Sequence, residues 1–95
     1  MFARVTQYKM KSGSREASTA KLEQLKGRIL GMPGMLNFIN VMNDDGSGYI
    51  ISVVESEEIS NSNTEGVKAI WGEFAEYLEA IPSPQGFDVV ANWSN

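Results

Sequence analysis

Hydrophobic and polar positions alternate from the start of the chain. In Phe2 to Met10 (FARVTQYKM), Phe2, Arg4, Thr6, Tyr8 and Met10 share one side and Ala3, Val5, Gln7 and Lys9 the other. The β-branched and aromatic residues favour a strand, and neither side is wholly polar, which predicts cover on both faces. After the turn Ser12-Gly13-Ser14 the period lengthens. Leu22, Leu25, Ile29 and Met32 recur at helical spacing, with Ser14 as N-cap and the helix running to about Leu30. Glu16 near its start and Lys26 and Arg28 near its end complement the helix dipole. Gly31 stands at the C-cap, and Pro33 two residues later bars continuation. Met35 to Met42 reads as a second strand, Asn43 to Gly48 as a hairpin loop, and Tyr49 to Val54 as the most apolar strand of all. The polar run ESEEISNSNT (55–64) leaves room for a short helix. A second long helix follows from Thr64, its stripe made of Val67, Ile70, Trp71, Phe74, Leu78 and Ile81, and Pro82 and Pro84 end it. Phe87 to Trp93 supplies a last strand.

The order β-α-β-β-α-β, without repeat or linker, predicts one domain over residues 1–95. Its class is α+β, ferredoxin-like, with an antiparallel four-stranded sheet whose first and third strands are central. Both helices of that plan cover one sheet face. The other face should then be polar, yet the strands carry apolar side chains on both sides. Packing two such faces together closes a barrel, so a homodimer is expected. The joint GMPGMLNFINV (31–41) superficially suggests a phosphate loop. It closes a helix and opens a strand, the reverse of the polarity that aims helix N–H groups at an anion, and it lacks a Gly-Lys-Ser/Thr ending.

Composition narrows the chemistry sharply. The chain of 95 residues has no cysteine and no histidine. Disulfides, thiolate metal sites, the commonest metal ligand and the usual neutral-pH base are therefore all absent, and no metal site is expected. The Asp44-Asp45-Gly46 loop lacks the spacing and terminal Glu of a calcium loop. No apolar run is long enough for a signal segment or a membrane span, which predicts a cytoplasmic protein with no membrane partner. The net charge of −4 divides into +5 over residues 1–28 and −9 over residues 29–95. The cations are interleaved with apolar residues and form no dense cluster, so no nucleic-acid partner is expected. A basic first helix lying beside an acidic second one accounts for the split.

Four stretches, in order, resemble the dimeric α/β-barrel superfamily and its antibiotic biosynthesis monooxygenase-like group: QYKMKSGS (7–14), GMPGM (31–35), VVESEE (53–58) and AIWGEFAEYLEAIPSPQGFDVVANW (69–93). The resemblance spans Phe2 to Trp93 and departs from the pattern at Ser12, where proline is usual. It implies a homodimer with a small cavity between sheet and helices. That cavity would take a small aromatic or quinol compound, oxidised with no cofactor. Relatives that degrade haem use a histidine ligand, which this chain lacks. A non-catalytic barrel that binds or senses a small molecule is the alternative, and a domain that only dimerises is the third reading.

The pocket candidates are Arg4, Tyr8, Asn37, Phe38, Asn40, Trp71 and Tyr77. Trp71, on the apolar stripe, is either a core aromatic or a wall that stacks on a flat substrate. The oxygenase pattern places an asparagine one turn before this tryptophan, where this chain has Val67. Tyr77 is rotated off the stripe, half-buried or at the cavity mouth. Arg4 shares a strand face with Tyr8 and either holds a carboxylate or phenolate in the cavity or pairs with an acid such as Glu55. Asn37 and Asn40 must point to opposite faces of the second strand, one of them inward and in need of a partner.

Overall fold

The computed structural model describes residues 1–95. It consists of β1 (Phe2–Lys9), α1 (Arg15–Leu30), β2 (Met35–Met42), β3 (Ser47–Val54), α2 (Glu57–Ser62), α3 (Thr64–Gly72), a 3-10 turn (Ala75–Tyr77) and β4 (Ser83–Asp88). The four strands form one antiparallel sheet in the order β2-β3-β1-β4, so β1 and β3 are central, as the pattern predicts. This is an α+β, ferredoxin-like fold. No helix is long and apolar enough to cross a membrane.

Register assigns the faces. Tyr8 opposes Gly48 and Arg4 opposes Ser52 on β3, while Phe38, Asn40 and Met42 oppose Ser52, Ile50 and Gly48. These residues share the helix-covered face, because Tyr8 and Met10 pack with Leu25, Ile29 and Phe74 in the buried core. Phe38, Ile50, Ile70, Trp71 and Leu78 surround that core half-buried. The opposite face carries Val5, Ile39, Val41, Tyr49, Ile51 and Phe87, of which Ile39, Val41, Tyr49 and Phe87 are exposed. A shift between Met35 and Asn37 alters one expected grouping. Met35 opposes Val54 of the helix-covered face, whereas simple alternation places it with Ile39 and Val41. The extra residue, Leu36, is left exposed, as an irregularity of bulge type requires.

The joint at residues 31–35 is packed under α2. Gly34 has φ +72°, and a Cβ there would lie 2.7 Å from Ile59 Cγ2. The buried Asn63 donates from Nδ2 to Pro33 O at 2.9 Å, and Glu55 N–H donates to Gly34 O at 3.1 Å. Ser56 caps α2 by accepting from Ile59 N–H. Ser14 occupies the N-cap of α1 without a side-chain capping bond, and α3 is preceded by Asn63 with Thr64 as its first residue.

Two expectations fail in the C-terminal third. The second long helix stops at Gly72 and does not reach Ile81, which is 94% exposed. Phe74 is buried, the chain tightens into the 3-10 turn, and Leu78 turns extended to bridge Met10. Lys11 N–H donates to Tyr77 O at 2.6 Å and Glu79 N–H to Lys9 O at 2.9 Å. Those bonds satisfy the outgoing end of β1, and the residue before Pro82 is sterically disfavoured in a helix. The last strand is Ser83–Asp88 and not Phe87–Trp93. Antiparallel pairing runs from Phe2↔Asp88 to Gln7↔Ser83, so the start of β1 sets where β4 ends. Val89 N–H still donates to Met1 O at 3.1 Å; beyond it the chain leaves the sheet, and Val90 and Trp93 are 96% and 91% exposed.

Candidate functional site between helices and sheet

Tyr8 is the centre of the polar arrangement on the helix-covered face. Its strand neighbour across β3 is Gly48, where a Cβ would lie 2.6 Å from the Tyr8 hydroxyl oxygen and 2.7 Å from Cζ. The phenol therefore lies over the bare backbone of β3 and reaches β2. There its hydroxyl stands 2.6 Å from Asn40 Oδ1 and 3.2 Å from Val41 O. The shorter separation suits an O–H···O bond and is short for N–H···O, so the hydroxyl donates to the Asn40 carbonyl oxygen. Burial pushes the Tyr8 phenol above its ordinary 10.0; Asn40 and, more weakly, Arg15 oppose that shift. At neutral pH the group is a neutral donor.

Trp71, from α3, tilts against this phenol with ring centroids 5.9 Å apart and packs on Phe74 at 6.3 Å. Tyr8, Asn40 and Trp71 are thus brought together from three elements separated widely in sequence. Phe38 lies two residues before Asn40 on the same face. It forms one wall of a groove of about 180 Å³, closed on the α1 side by Leu22, Lys26, Ile29 and Leu30. Trp71 also borders a more open apolar depression of about 360 Å³, together with Leu78, Ile81 and Pro82. Tyr77 packs half-buried beside the core from the 3-10 turn.

The other candidates lie elsewhere. Asn37 is exposed on the uncovered face, in register with Val53. Arg4 is on the helix-covered face but at the far end of β1, where it pairs with neither a cavity acid nor Glu55. Its Nε donates to Ser60 Oγ at 2.9 Å and Nη2 to Asn61 Oδ1 at 2.6 Å, both on α2. The guanidinium also lies 5.1 Å from the centre of the Phe2 ring, and Gly86 of β4 leaves space for both. Arg4 therefore ties α2 to the sheet. The sequence reading missed Ser60, Asn61 and Gly48, whose roles depend on register. The single local hint was a glycine at the entry to an otherwise apolar strand.

The charge split has a structural counterpart. Lys21 and Arg28 of α1 meet Glu73 at 3.1 and 3.8 Å. Asp45 accepts from Ser47 N–H and Oγ–H, which holds its carboxyl below the usual range and tightens the hairpin. No group of three carboxylates or other ligating side chains converges on a point.

No family model matches the sequence, and no curated protein matches it significantly. Solved structures do match, along nearly the whole chain. A protein of unknown function from Nitrosomonas europaea superposes with a TM-score of 0.82 at 14% identity, over 99% of this chain and 93% of that one. A candidate antibiotic biosynthesis monooxygenase from the same organism gives 0.79 at 10% identity, over 94% and 89%. A variant of MhuD with two manganese protoporphyrin IX molecules bound per active site gives 0.77 at 16% identity, over the whole of both chains. At these identities the likeness is one of fold. The chain has the ferredoxin-like fold of antibiotic biosynthesis monooxygenase-like proteins.

Proposed function

We propose that this chain is a cofactor-independent monooxygenase-like protein that takes a small aromatic or quinol compound between its helices and sheet and works as a homodimer. The observation that carries the reading is the Tyr8–Asn40 pair set against the Trp71 ring, beside apolar grooves that open to the surface. Trp71 and Phe38 offer faces on which a flat ring can stack, and the Asn40 amide, held by the Tyr8 phenol, orients an oxygen substituent. With no histidine in the chain, a porphyrin such as that named for one structural neighbour would lack its usual protein ligand.

The homodimer is proposed from the uncovered sheet face. Ile39, Val41, Tyr49 and Phe87 expose apolar surface across three strands, a pattern that marks an interface. Two such faces pack about 10 Å apart in aligned or orthogonal sheets.

Val67, half-buried one turn before Trp71, favours the alternative of a non-catalytic binding barrel, because α3 contributes no amide there. Oxygen uptake separates the two. The catalytic reading expects uptake with dihydroxynaphthalenes or anthrones, reduced at least tenfold by Trp71→Phe. Binding of these compounds without uptake assigns the chain to the alternative.

A further inference from the structure

The Tyr8–Asn40 contact fixes more than a position. An asparagine side chain has one acceptor oxygen and one donor nitrogen, and it can present either by turning about its last bond. Here the oxygen is claimed by the Tyr8 hydroxyl at 2.6 Å. The nitrogen makes no hydrogen bond to the protein, and it is not sealed off, since no buried side-chain polar atom is left without a partner. The amide is therefore held with its N–H₂ group outward. Gly48 makes this geometry possible: any side chain there would strike the Tyr8 hydroxyl and the Val41 carbonyl.

We propose that Asn40, held by Tyr8 across Gly48, is the specificity-determining donor of the site and selects an oxygen that accepts hydrogen bonds, the carbonyl of a flat aromatic such as a quinone. This rests on the reading that the site takes an aromatic ligand, and it names which of that ligand's groups is recognised. Tyr8 is a positioning residue. It acts by denying Asn40 the turn that would present an acceptor in place of a donor. A committed donor favours a carbonyl oxygen, which only accepts, over a hydroxyl, which also accepts but must find a separate acceptor for its own proton, so the preference is for the quinone while the quinol still binds. Phe38, two residues along the same strand face, and Trp71, against the Tyr8 ring, supply the flat apolar surroundings.

The test uses 1,4-naphthoquinone and, under anaerobic conditions, 1,4-dihydroxynaphthalene, titrated into the intact protein by calorimetry. The absence of cysteine removes thiol addition to the quinone as a complication. Asn40→Asp keeps an acceptor for Tyr8 and replaces the outward donor by an acceptor. It should weaken the quinone at least tenfold and weaken the quinol less. Tyr8→Phe leaves Asn40 in place but free to turn. It should lower quinone affinity threefold to tenfold and narrow the preference between the two ligands. The Asn40 side-chain amide resonance should shift on adding quinone to the wild type and shift less in Tyr8→Phe. Equal quinone affinity in wild type and Asn40→Asp, or no quinone binding to the wild type, overturns the proposal. Oxygen uptake keeps the two readings apart. Asn40-dependent quinone binding without uptake supports the donor assignment and removes the oxygenase chemistry. Uptake with no dependence of quinone affinity on Asn40 does the reverse.

Discussion

Tyr8 is the residue whose neighbourhood most constrains the chemistry. Its ring is buried among Leu25, Ile29 and Phe74, and burial disfavours the phenolate more than Asn40 and Arg15 favour it. The folded pKa therefore lies above the unfolded value of 10.0. The unfolded chain releases this proton first, so the stability that Tyr8 supports is complete below pH 10 and is lost as pH rises through the folded value. Alkaline unfolding followed by far-ultraviolet dichroism should show this loss, and Tyr8→Phe should make the high-pH limb shallower. The sequence placed Tyr8 and Asn40 among the candidates but not against one another. They are 32 positions apart, and their contact depends on the registers of β1 and β2 with β3 and on a glycine between them. Side-chain alternation reports a face; it does not report which residues on that face are opposite.

At the scale of elements, local patterns were readable wherever one chain segment decides its own structure. The helix of α1, its end before Pro33, the hairpin glycine and the strands through Val54 all carry their signals within a few residues. β4 did not. Ser83-Pro84-Gln85-Gly86-Phe87-Asp88 has poor strand residues, and FDVVANW has good ones, yet pairing with β1 selects the former. Proline is tolerated there because β4 is an edge strand. Leu78 misled in another way, since it reaches the core from extended backbone while keeping helical spacing from Phe74. Within α1, Gly27 is a weakness that nothing requires: a Cβ at that position would meet no atom within 4 Å. Gly27→Ala should stabilise the protein by about 0.5–1 kcal/mol and raise the thermal midpoint by roughly 2–8 °C, measured by scanning calorimetry.

For the whole molecule, the balance of covered and uncovered surface is the governing fact. A chain of 95 residues has a thin core, and this one leaves Ile39, Val41, Tyr49 and Phe87 in the open on a single sheet face. Association through that face predicts a mass near twice 10.5 kDa in light scattering at micromolar concentration. Ile39→Lys with Val41→Lys should return it to the mass of one chain, while helix content stays unchanged, because these side chains contact nothing on the helix-covered side. The net charge of the variant moves from −4 to −2, which lowers the overall repulsion between copies, so dissociation would report the cost of burying lysines in the apolar face.

The clearance between Tyr8 and Gly48 reaches beyond one molecule. A methyl group at position 48 would sit 2.1 Å from the Val41 carbonyl as well as against the phenol, so relief at position 8 alone is not enough. Positions 8 and 48 therefore change safely only together, and with a shift of the β2 backbone at Val41. As divergent members of this fold are compared, a bulky aromatic at the place of Tyr8 should co-occur with glycine at the place of Gly48. Lineages that lose the glycine should show a locally displaced edge strand and a smaller residue on β1. A pair of substitutions that must arrive together is slow to cross, and that slowness would make the phenol a long-lived marker of descent in chains whose overall identity has fallen to the level of chance.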